Sequence, residues 1–211
     1  AHPRGRDRGL VVALGAAERP NAIPPEEALS RLMRGNQRYV ANDPEVRDYS
    51  LAKVQYPIAA ILGCADSRVA PELVFDQGPG DLFVVRNAGN VVADPGLASL
   101  EYAVEFLGVP LLFVLGHGSC GAVTATIQVM HDGIELPGHL PGLIEPIRQA
   151  VSAAEQSKPA NLLTAAIEEN VRLSVGQLAS ATPVLSEAVE AGRVKVIGGV
   201  CELATGAVRL V

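Results

Sequence analysis

Short apolar runs separated by stretches of helical periodicity give the first picture of this chain. The runs Ile58–Leu62 and Val109–Leu115 are continuous, as expected for strands that are buried on both faces. Leu82–Arg86 and Val194–Glu202 are shorter or more mixed runs that also predict strands. A tight turn at Thr205–Gly206 then predicts a last strand, over 207–211, that returns antiparallel to its predecessor.

Between the strands, apolar residues recur at helical spacing. The first predicted helix opens at Pro24–Pro25, carries Glu26 and Glu27 in its first turn and ends near Val40. The later predicted helices are Pro71–Asp76 (a short helix or turn), Asp94–Leu107, Ser119–His131, Leu143–Glu155, Ala160–Ser180 and Thr182–Gly192, with a loop over Gly133–Gly142. This alternation predicts an α/β fold, with a mostly parallel central sheet of about four parallel strands and a C-terminal antiparallel strand, flanked by helices.

Two polar segments each follow closely on a predicted strand. They contain Cys64, Asp66 and Arg68 in the first, and His117 and Cys120 in the second. If the two strands are neighbours in one sheet, two thiols and one imidazole can converge on a metal at its carboxyl edge. Zinc favours tetrahedral sites built from Cys and His, and a catalytic zinc site keeps its fourth position open. An acid and a base lie beside the first thiol.

Other interpretations of these residues stay open. Cys201, inside the last long predicted strand, is expected to be an ordinary core residue. A redox pair of Cys64 and Cys120 would leave His117 without a role, and the acid and the base could form a plain structural salt bridge. Gly116–Gly121 also fits the Gly-x-Gly-x-x-Gly pattern of dinucleotide sites, but the helix after it runs into a loop where that motif requires a strand.

Composition narrows the class of partner. Apolar residues make up 48% of the 211 residues and charged residues only 19%, which indicates a buried subunit interface. The net charge of −6 argues against nucleic acid and anionic membranes as partners. Three cysteines in a chain of this length are not a disulfide framework.

Three motifs, taken in order, carry a resemblance to a known family. They are Cys-x-Asp-x-Arg at 64–68, Arg-Asn-Ala-Gly-Asn at 86–90 and Gly-His-x-x-Cys-Gly at 116–121. In this order and spacing they resemble the β-class carbonic anhydrases, and the likeness runs from about Pro24 to the end. The resemblance implies a zinc lyase, a carbonate dehydratase, that reversibly hydrates carbon dioxide to bicarbonate and a proton by attack of zinc-bound hydroxide on CO2.

The resemblance also implies roles for individual residues. Cys64, His117 and Cys120 would bind one Zn2+ per chain. Asp66 would orient the reacting water, while Arg68 keeps the Asp66 carboxylate ionised and away from the metal. A freed Asp66 could instead become the fourth ligand, in a closed state that we expect to grow as the pH falls.

Further residues match the pocket of the family. Gln55 matches a glutamine that reaches into the zinc site of the adjacent subunit, where it would donate a hydrogen bond to the developing bicarbonate. Phe83 and Tyr102 match aromatic residues that line the narrow substrate cleft, and Gly118 and Gly121 match small residues that leave room around the second ligand pair. A shared pocket implies a homodimer as the smallest active unit, and a homotetramer or larger oligomer also fits.

The finer function is left with alternatives. Some relatives with altered pockets act on carbonyl sulfide or carbon disulfide, and a zinc-stabilised subunit without turnover is a further alternative. Arg86 matches an arginine that binds inhibitory bicarbonate in some members, together with a tryptophan three residues before the first ligand. Here that position is Ile61 and the chain has no Trp, so we do not expect bicarbonate control and interpret Arg86 as a structural or interface cation.

The N-terminal part is expected to stand apart. Arg4, Arg6 and Arg8 precede the apolar run Leu10–Ala17, which is similar to the basic and apolar parts of an export signal but far too short to span a bilayer. We expect residues 1–23 to be an N-terminal arm or the remnant of a processed leader, and residues 24–211 to form a single zinc-binding catalytic domain. A cytoplasmic location is the primary expectation, with export to a periplasm or the medium as the alternative.

Overall fold

A five-stranded sheet lies at the centre of the structure, a computed structural model that describes residues 23–45 and 55–211. Its strands are β1 (Ala59–Cys64), β2 (Leu82–Asn87), β3 (Leu111–His117), β4 (Lys195–Cys201) and β5 (Val208–Leu210). The order across the sheet is β2-β1-β3-β4-β5. The first four strands are parallel and β5 runs antiparallel to β4, so the predicted sheet is confirmed.

Helices cover both faces of this sheet. They are α1 (Pro25–Ala41), α2 (Pro71–Val74), α3 (Asp94–Glu105), α4 (Gly121–Asp132), α5 (Leu140–Ile144), α6 (Arg148–Gln156), α7 (Leu162–Ala179) and α8 (Val184–Glu190). None of these helices in the described ranges is long and apolar enough to cross a membrane. The expected division into an arm over 1–23 and one domain over 24–211 stays a prediction, since residues 1–22 and 46–54 lie outside the described part.

One predicted helix is wrong in its bounds. The sequence pattern predicts a loop over 133–142 and then a single helix over 143–155. The structure instead begins α5 at Leu140, inside the predicted loop, and a 3-10 turn over Glu145–Ile147 separates α5 from α6. Prolines explain both differences: Pro141 suits the first turn of a helix, whereas Pro146 lacks the N–H that a continuous helix would need.

Alternating residues of the strands feed two separate cores. Ile61 and Phe113 face the α1 side, where Phe113 packs edge-on against Phe75 with ring centroids 5.2 Å apart. Leu62 and Val114 face the opposite side, which α3, α7 and α8 cover. Strands buried on both faces therefore read as continuous apolar runs in the sequence.

Helix α7 lies directly on the sheet because two strand positions that face it are glycines, which have no side chain to keep it away. A Cβ at Gly116 in β3 would lie 2.6 Å from a methyl group of Val171, and one at Gly198 in β4 would lie 2.4 Å from another. Any side chain at these positions would push α7 outward. The helix thus contacts β3 immediately before its last residue, His117.

Helix α1 is fixed by a buried amide and a close backbone approach. The Asn36 side chain donates to the carbonyls of Val74 (2.9 Å) and Gly206 (2.7 Å) and accepts from the Val208 amide (2.9 Å). Beside it, a Cβ at Gly35 would lie 1.7 Å from the carbonyl oxygen of Phe75. Gly35 is therefore required for α1 to pack at this depth.

We expect Gly35→Ala to lower the free energy of unfolding by about 1–3 kcal/mol, because the added methyl group meets backbone that has little room to move. The matched control is Gly176→Ala on α7, where an added Cβ meets no atom within 4 Å. That change should raise stability by up to about 1 kcal/mol, through helix propensity alone. Urea unfolding at one protein concentration measures both variants, and equal effects would contradict the packing argument.

Candidate metal centre

The carboxyl ends of two neighbouring strands set the position of the site. Strand β1 ends at Cys64 and strand β3 ends at His117, and the two strands are paired in parallel register from Ala60↔Leu112 to Gly63↔Leu115. Cys120 follows after a sharp turn at Ser119, whose φ is 54°, and directly precedes α4. Parallel pairing therefore delivers both polar segments to one edge of the sheet.

The three side chains form a compact buried cluster. The ligand atoms offered by Cys64, His117 and Cys120 all lie within 4.8 Å of one another. The residues are 5%, 0% and 2% exposed, respectively. Two thiols and one imidazole are the donor set that suits zinc, with three protein ligands and room for a fourth.

The hydrogen bonding of His117 fits a metal ligand. Its Nδ1 lies 2.9 Å from the carbonyl oxygen of Gly118, so the Nδ1–H donates there and Nε2 carries the free lone pair. Nε2 is buried and has no hydrogen-bond partner among the described residues. A buried imidazole nitrogen without a partner is costly unless it binds something, and this nitrogen faces the two thiols.

The surroundings of Cys64 favour a thiolate. The Cys120 thiol lowers the pKa of Cys64 most strongly; burial opposes this shift, and the Gly89 amide, which donates to the Cys64 sulfur over 3.3 Å, reinforces it. The same pairing and burial raise the pKa of Cys120. Cys64 is therefore the more readily ionised of the two thiols, and binding of a dication would release the thiol protons.

An acid–base pair flanks the cluster. The Arg68 side chain donates two hydrogen bonds to the Asp66 carboxylate, from Nε to Oδ1 at 2.9 Å and from Nη2 to Oδ2 at 2.7 Å. The Arg68 backbone amide donates a third, to Oδ1, at 3.0 Å. These bonds hold the pKa of Asp66 well below its usual range. Oδ2 lies 3.9 Å from Nε2 of His117, so the fixed carboxylate borders the space where the ligand atoms converge.

Arg86 holds the backbone of the same segment. It reaches from β2 across to the end of β1, where Nε donates to the Cys64 carbonyl (2.8 Å) and Nη2 donates to the Asp66 carbonyl (2.6 Å). These contacts agree with the interpretation of Arg86 as a structural cation.

Ile61 and Cys201, two further residues discussed from the sequence, both belong to the buried core on the α1 side.

Three predicted pocket residues lie away from the cluster of their own chain. Phe83 is opposite Ala60 in the sheet, four residues before Cys64, or about 13 Å along the strands. Tyr102 lies late in α3 with its ring centroid 6.2 Å from that of Phe83, and Gln55 precedes the amino end of β1. Gln55 and Tyr102 are both exposed. One chain therefore does not bring these residues to its own metal ligands.

The space beside the second ligand pair is open. A Cβ at Gly121 would meet no atom within 4 Å, and one at Gly118 would meet only the Cys201 carbonyl, at 3.9 Å. A side chain at either position would thus meet little of the described chain, and the role of both glycines in the pocket stays a prediction.

Sequence reasoning missed two residues that support this edge from a distance. Asn170 and Ser174, on α7, are buried and donate to the carbonyls of Gly89 and Asn90. The signal was present as two polar residues four positions apart on a largely apolar helix, and their partners lie more than 80 positions away in sequence.

Comparisons with known proteins agree on one family. A family described as carbonic anhydrase matches residues 59–208. Carbonic anhydrase 2 of Mycobacterium tuberculosis is 38% identical over 188 residues, covering 86% of this chain and 90% of that protein. A Coccomyxa β-carbonic anhydrase solved in complex with acetazolamide is 28% identical with a TM-score of 0.67, over 88% of this chain and 82% of that one. A tetrameric β-carbonic anhydrase from Sordaria macrospora shares the fold at 23% identity, with a TM-score of 0.68 and coverage of 88% and 92%.

We expect the purified chain to bind one zinc ion, and Cys64→Ser to weaken zinc binding by more than about 100-fold, since even the loss of a residue that only supports a ligand can cost 10–100-fold. Cys201→Ala is the matched control, because that buried thiol is not part of the cluster. Zinc competition against a chromophoric chelator measures both affinities. Equal zinc affinity in the two variants would contradict the assignment.

Proposed function

The chain is an enzyme of the β-carbonic anhydrase family, as its motifs predict, and from this we propose that it hydrates carbon dioxide reversibly at a zinc ion. The observation that carries the proposal is the buried cluster of Cys64, His117 and Cys120 with a fixed Asp66–Arg68 pair beside it. A purely structural zinc site would not need that pair or an open side. Zinc itself, one ion per chain, is part of the proposal.

Each ligand has a role that its surroundings support. When bound, zinc supplies the Lewis acid that activates water for attack on CO2. Cys64 and Cys120 would bind as thiolates and His117 through Nε2, since its Nδ1 is engaged with the Gly118 carbonyl. The Gly89 amide would remain hydrogen-bonded to the Cys64 sulfur.

Asp66 would accept a hydrogen bond from the reacting water and so orient its lone pair toward the substrate. The carboxylate can do this because Arg68 holds both of its oxygens, and because it lies 3.9 Å from the His117 Nε2 atom. The same two hydrogen bonds from Arg68 oppose rotation of the Asp66 carboxylate onto the metal. The closed state, with Asp66 as the fourth ligand, stays a prediction and would require this pair to separate.

The substrate pocket would be completed by a second copy of the chain. Phe83 lies about 13 Å along the strands from Cys64 of its own chain, Tyr102 lies beside Phe83, and Gln55 precedes the amino end of β1. Gln55 and Tyr102 are also exposed. In a homodimer they would face the partner's metal, where Gln55 donates a hydrogen bond to the forming bicarbonate. The two rings would give an apolar slot for a small linear substrate.

Exposed aromatic surface supports such an assembly. Phe106, 47% exposed, stacks on the exposed Tyr102 with ring centroids 5.2 Å apart, and the partly buried Phe83 lies next to Tyr102. Apolar patches of this kind mark interfaces more often than free surface. The Sordaria macrospora relatives are tetramers, so we propose a homodimer that can assemble further into a homotetramer.

The decisive experiment is stopped-flow CO2 hydration at alkaline pH, on protein whose zinc content has been quantified. We expect rapid turnover from the wild type at one zinc per chain, and a fall to the uncatalysed rate in Cys64→Ser. Cys201→Ala should retain activity, because its thiol lies in the core on the other face. Zinc-loaded wild-type protein without turnover would reject the proposal, and assays with carbonyl sulfide and carbon disulfide would then test the alternative substrates.

A shared pocket makes a second prediction, based on mixed dimers. Cys64→Ser chains keep Gln55, whereas Gln55→Ala chains keep the metal ligands. A dimer with one chain of each kind contains one pocket in which ligands and glutamine are both intact. We therefore expect doubly tagged mixed dimers to recover about half of the wild-type activity, although each parent dimer is impaired.

The control for this experiment is a mixed dimer of Cys64→Ser and Asp66→Asn chains. Both changes affect the same side of the pocket, so neither pocket of this dimer is complete. If Gln55 acts on its own chain's metal, the test dimer will recover no more activity than this control, and the two-chain pocket is wrong.

A further inference from the structure

Two polar side chains are buried on the face of α7 that packs against the sheet. Asn170 is 4% exposed and Ser174 is 2% exposed, and they lie one turn apart. Their neighbour Val171 fills the space over Gly116 and Gly198. The helix is therefore held at a fixed height over the sheet, next to the strand that ends in His117.

Both polar groups bind the loop that follows β2. The Asn170 Nδ2 donates to the Gly89 carbonyl over 2.8 Å, and the Ser174 hydroxyl donates to the Asn90 carbonyl over 3.3 Å. The other end of the loop is fixed by the Asn87 side chain, which donates to the Val91 carbonyl and accepts from its amide. Together these bonds hold the loop over 87–91 on the side of α7 and across its own two ends.

Gly89 occupies the centre of this arrangement. Its φ of 83° lies in the left-handed region, and a Cβ there would come within 2.7 Å of Ile147 and 3.1 Å of Ala122. The Gly89 amide donates a hydrogen bond to the Cys64 sulfur over 3.3 Å. One residue thus receives a hydrogen bond from α7 and gives one to a metal ligand.

We propose that Asn170, supported by Ser174, is a positioning residue of the metal centre: by holding the Gly89 carbonyl, it keeps the Gly89 amide aimed at the Cys64 sulfur. The proposal rests on the zinc site proposed above. Asn170 is not one of the three candidate ligands, and its bond to the Gly89 carbonyl is the contact through which it would act. It makes α7 a part of the site that no sequence motif marks.

The physical consequence concerns the sulfur's electrons. A hydrogen bond to a thiolate stabilises its lone pairs and reduces their donation to a metal, and such supporting contacts also fix the ligand's direction. Without Asn170, the Gly89 carbonyl loses its buried partner, and the wide range of backbone angles open to glycine lets this peptide move even though Asn87 and Ser174 still hold the rest of the loop. The Gly89 amide would then leave Cys64 for part of the time, which loosens the ligand and raises its donor strength.

The test replaces zinc by cobalt, whose bond to a thiolate absorbs in the near ultraviolet. In Asn170→Ala we expect the sulfur-to-cobalt band to move to longer wavelength, because the sulfur electrons are less stabilised. Zinc affinity should fall on the order of 10-fold, as for other residues that support a metal ligand. Faster hydrogen exchange at the Gly89 amide, followed by NMR in the zinc-loaded protein, should accompany both changes.

The matched control is Thr126→Val on α4, which removes a buried hydroxyl that donates to the Ala122 carbonyl of its own helix. It should leave the cobalt band and the Gly89 exchange rate unchanged. If Asn170→Ala fails to fold, Ser174→Ala removes the longer bond to the same loop and should give smaller changes in the same direction.

The outcomes separate this inference from the proposed function. A wild-type chain that binds no zinc and does not hydrate CO2 would reject the proposed function. A wild-type chain that does both, with an Asn170→Ala variant whose band, affinity and Gly89 exchange match those of the Thr126→Val control, would overturn the positioning role alone.

Discussion

Parallel hydrogen bonding between β1 and β3 is the constraint on which the rest of the site depends. Because the strands run side by side in the same direction, Cys64 and His117 end at one edge, and the turn at Ser119 returns Cys120 to the same place. The remaining parts of the site lie at that same edge of the sheet. Arg68 fixes Asp66 there, Arg86 fixes the backbone, and the open side at Gly121 leaves access.

Much of this arrangement could be read from the sequence, for physical reasons. A strand buried on both faces needs a continuous apolar run, so the central strands are visible, and the polar residues after them stand out by contrast. The break between α5 and α6 was harder to foresee, because Pro146 stops the α-helix while the local apolar spacing continues. Asn170 was missed because its partner, Gly89, is 81 positions away, and no local pattern reports a contact of that range.

The predicted pocket residues show a second limit of prediction from sequence. Gln55, Phe83 and Tyr102 match the family's pattern, but the sheet register puts Phe83 about 13 Å from Cys64. Sequence spacing alone does not say whether a residue serves its own chain or its partner. The register of one chain adds information for Phe83, which it keeps away from Cys64, and this separation supports the proposed two-chain pocket.

The candidate ligands come from one chain, whereas the proposed pocket needs two chains. This difference has a consequence for how the enzyme becomes active. The three candidate ligands of the proposed zinc site, together with the Asp66–Arg68 pair and Gly89, all belong to one chain. A single folded chain would therefore contain every ligand of the proposed metal without a contribution from another copy. With a shared pocket, such a monomer would be loaded yet idle, and specific activity would rise with protein concentration by mass action.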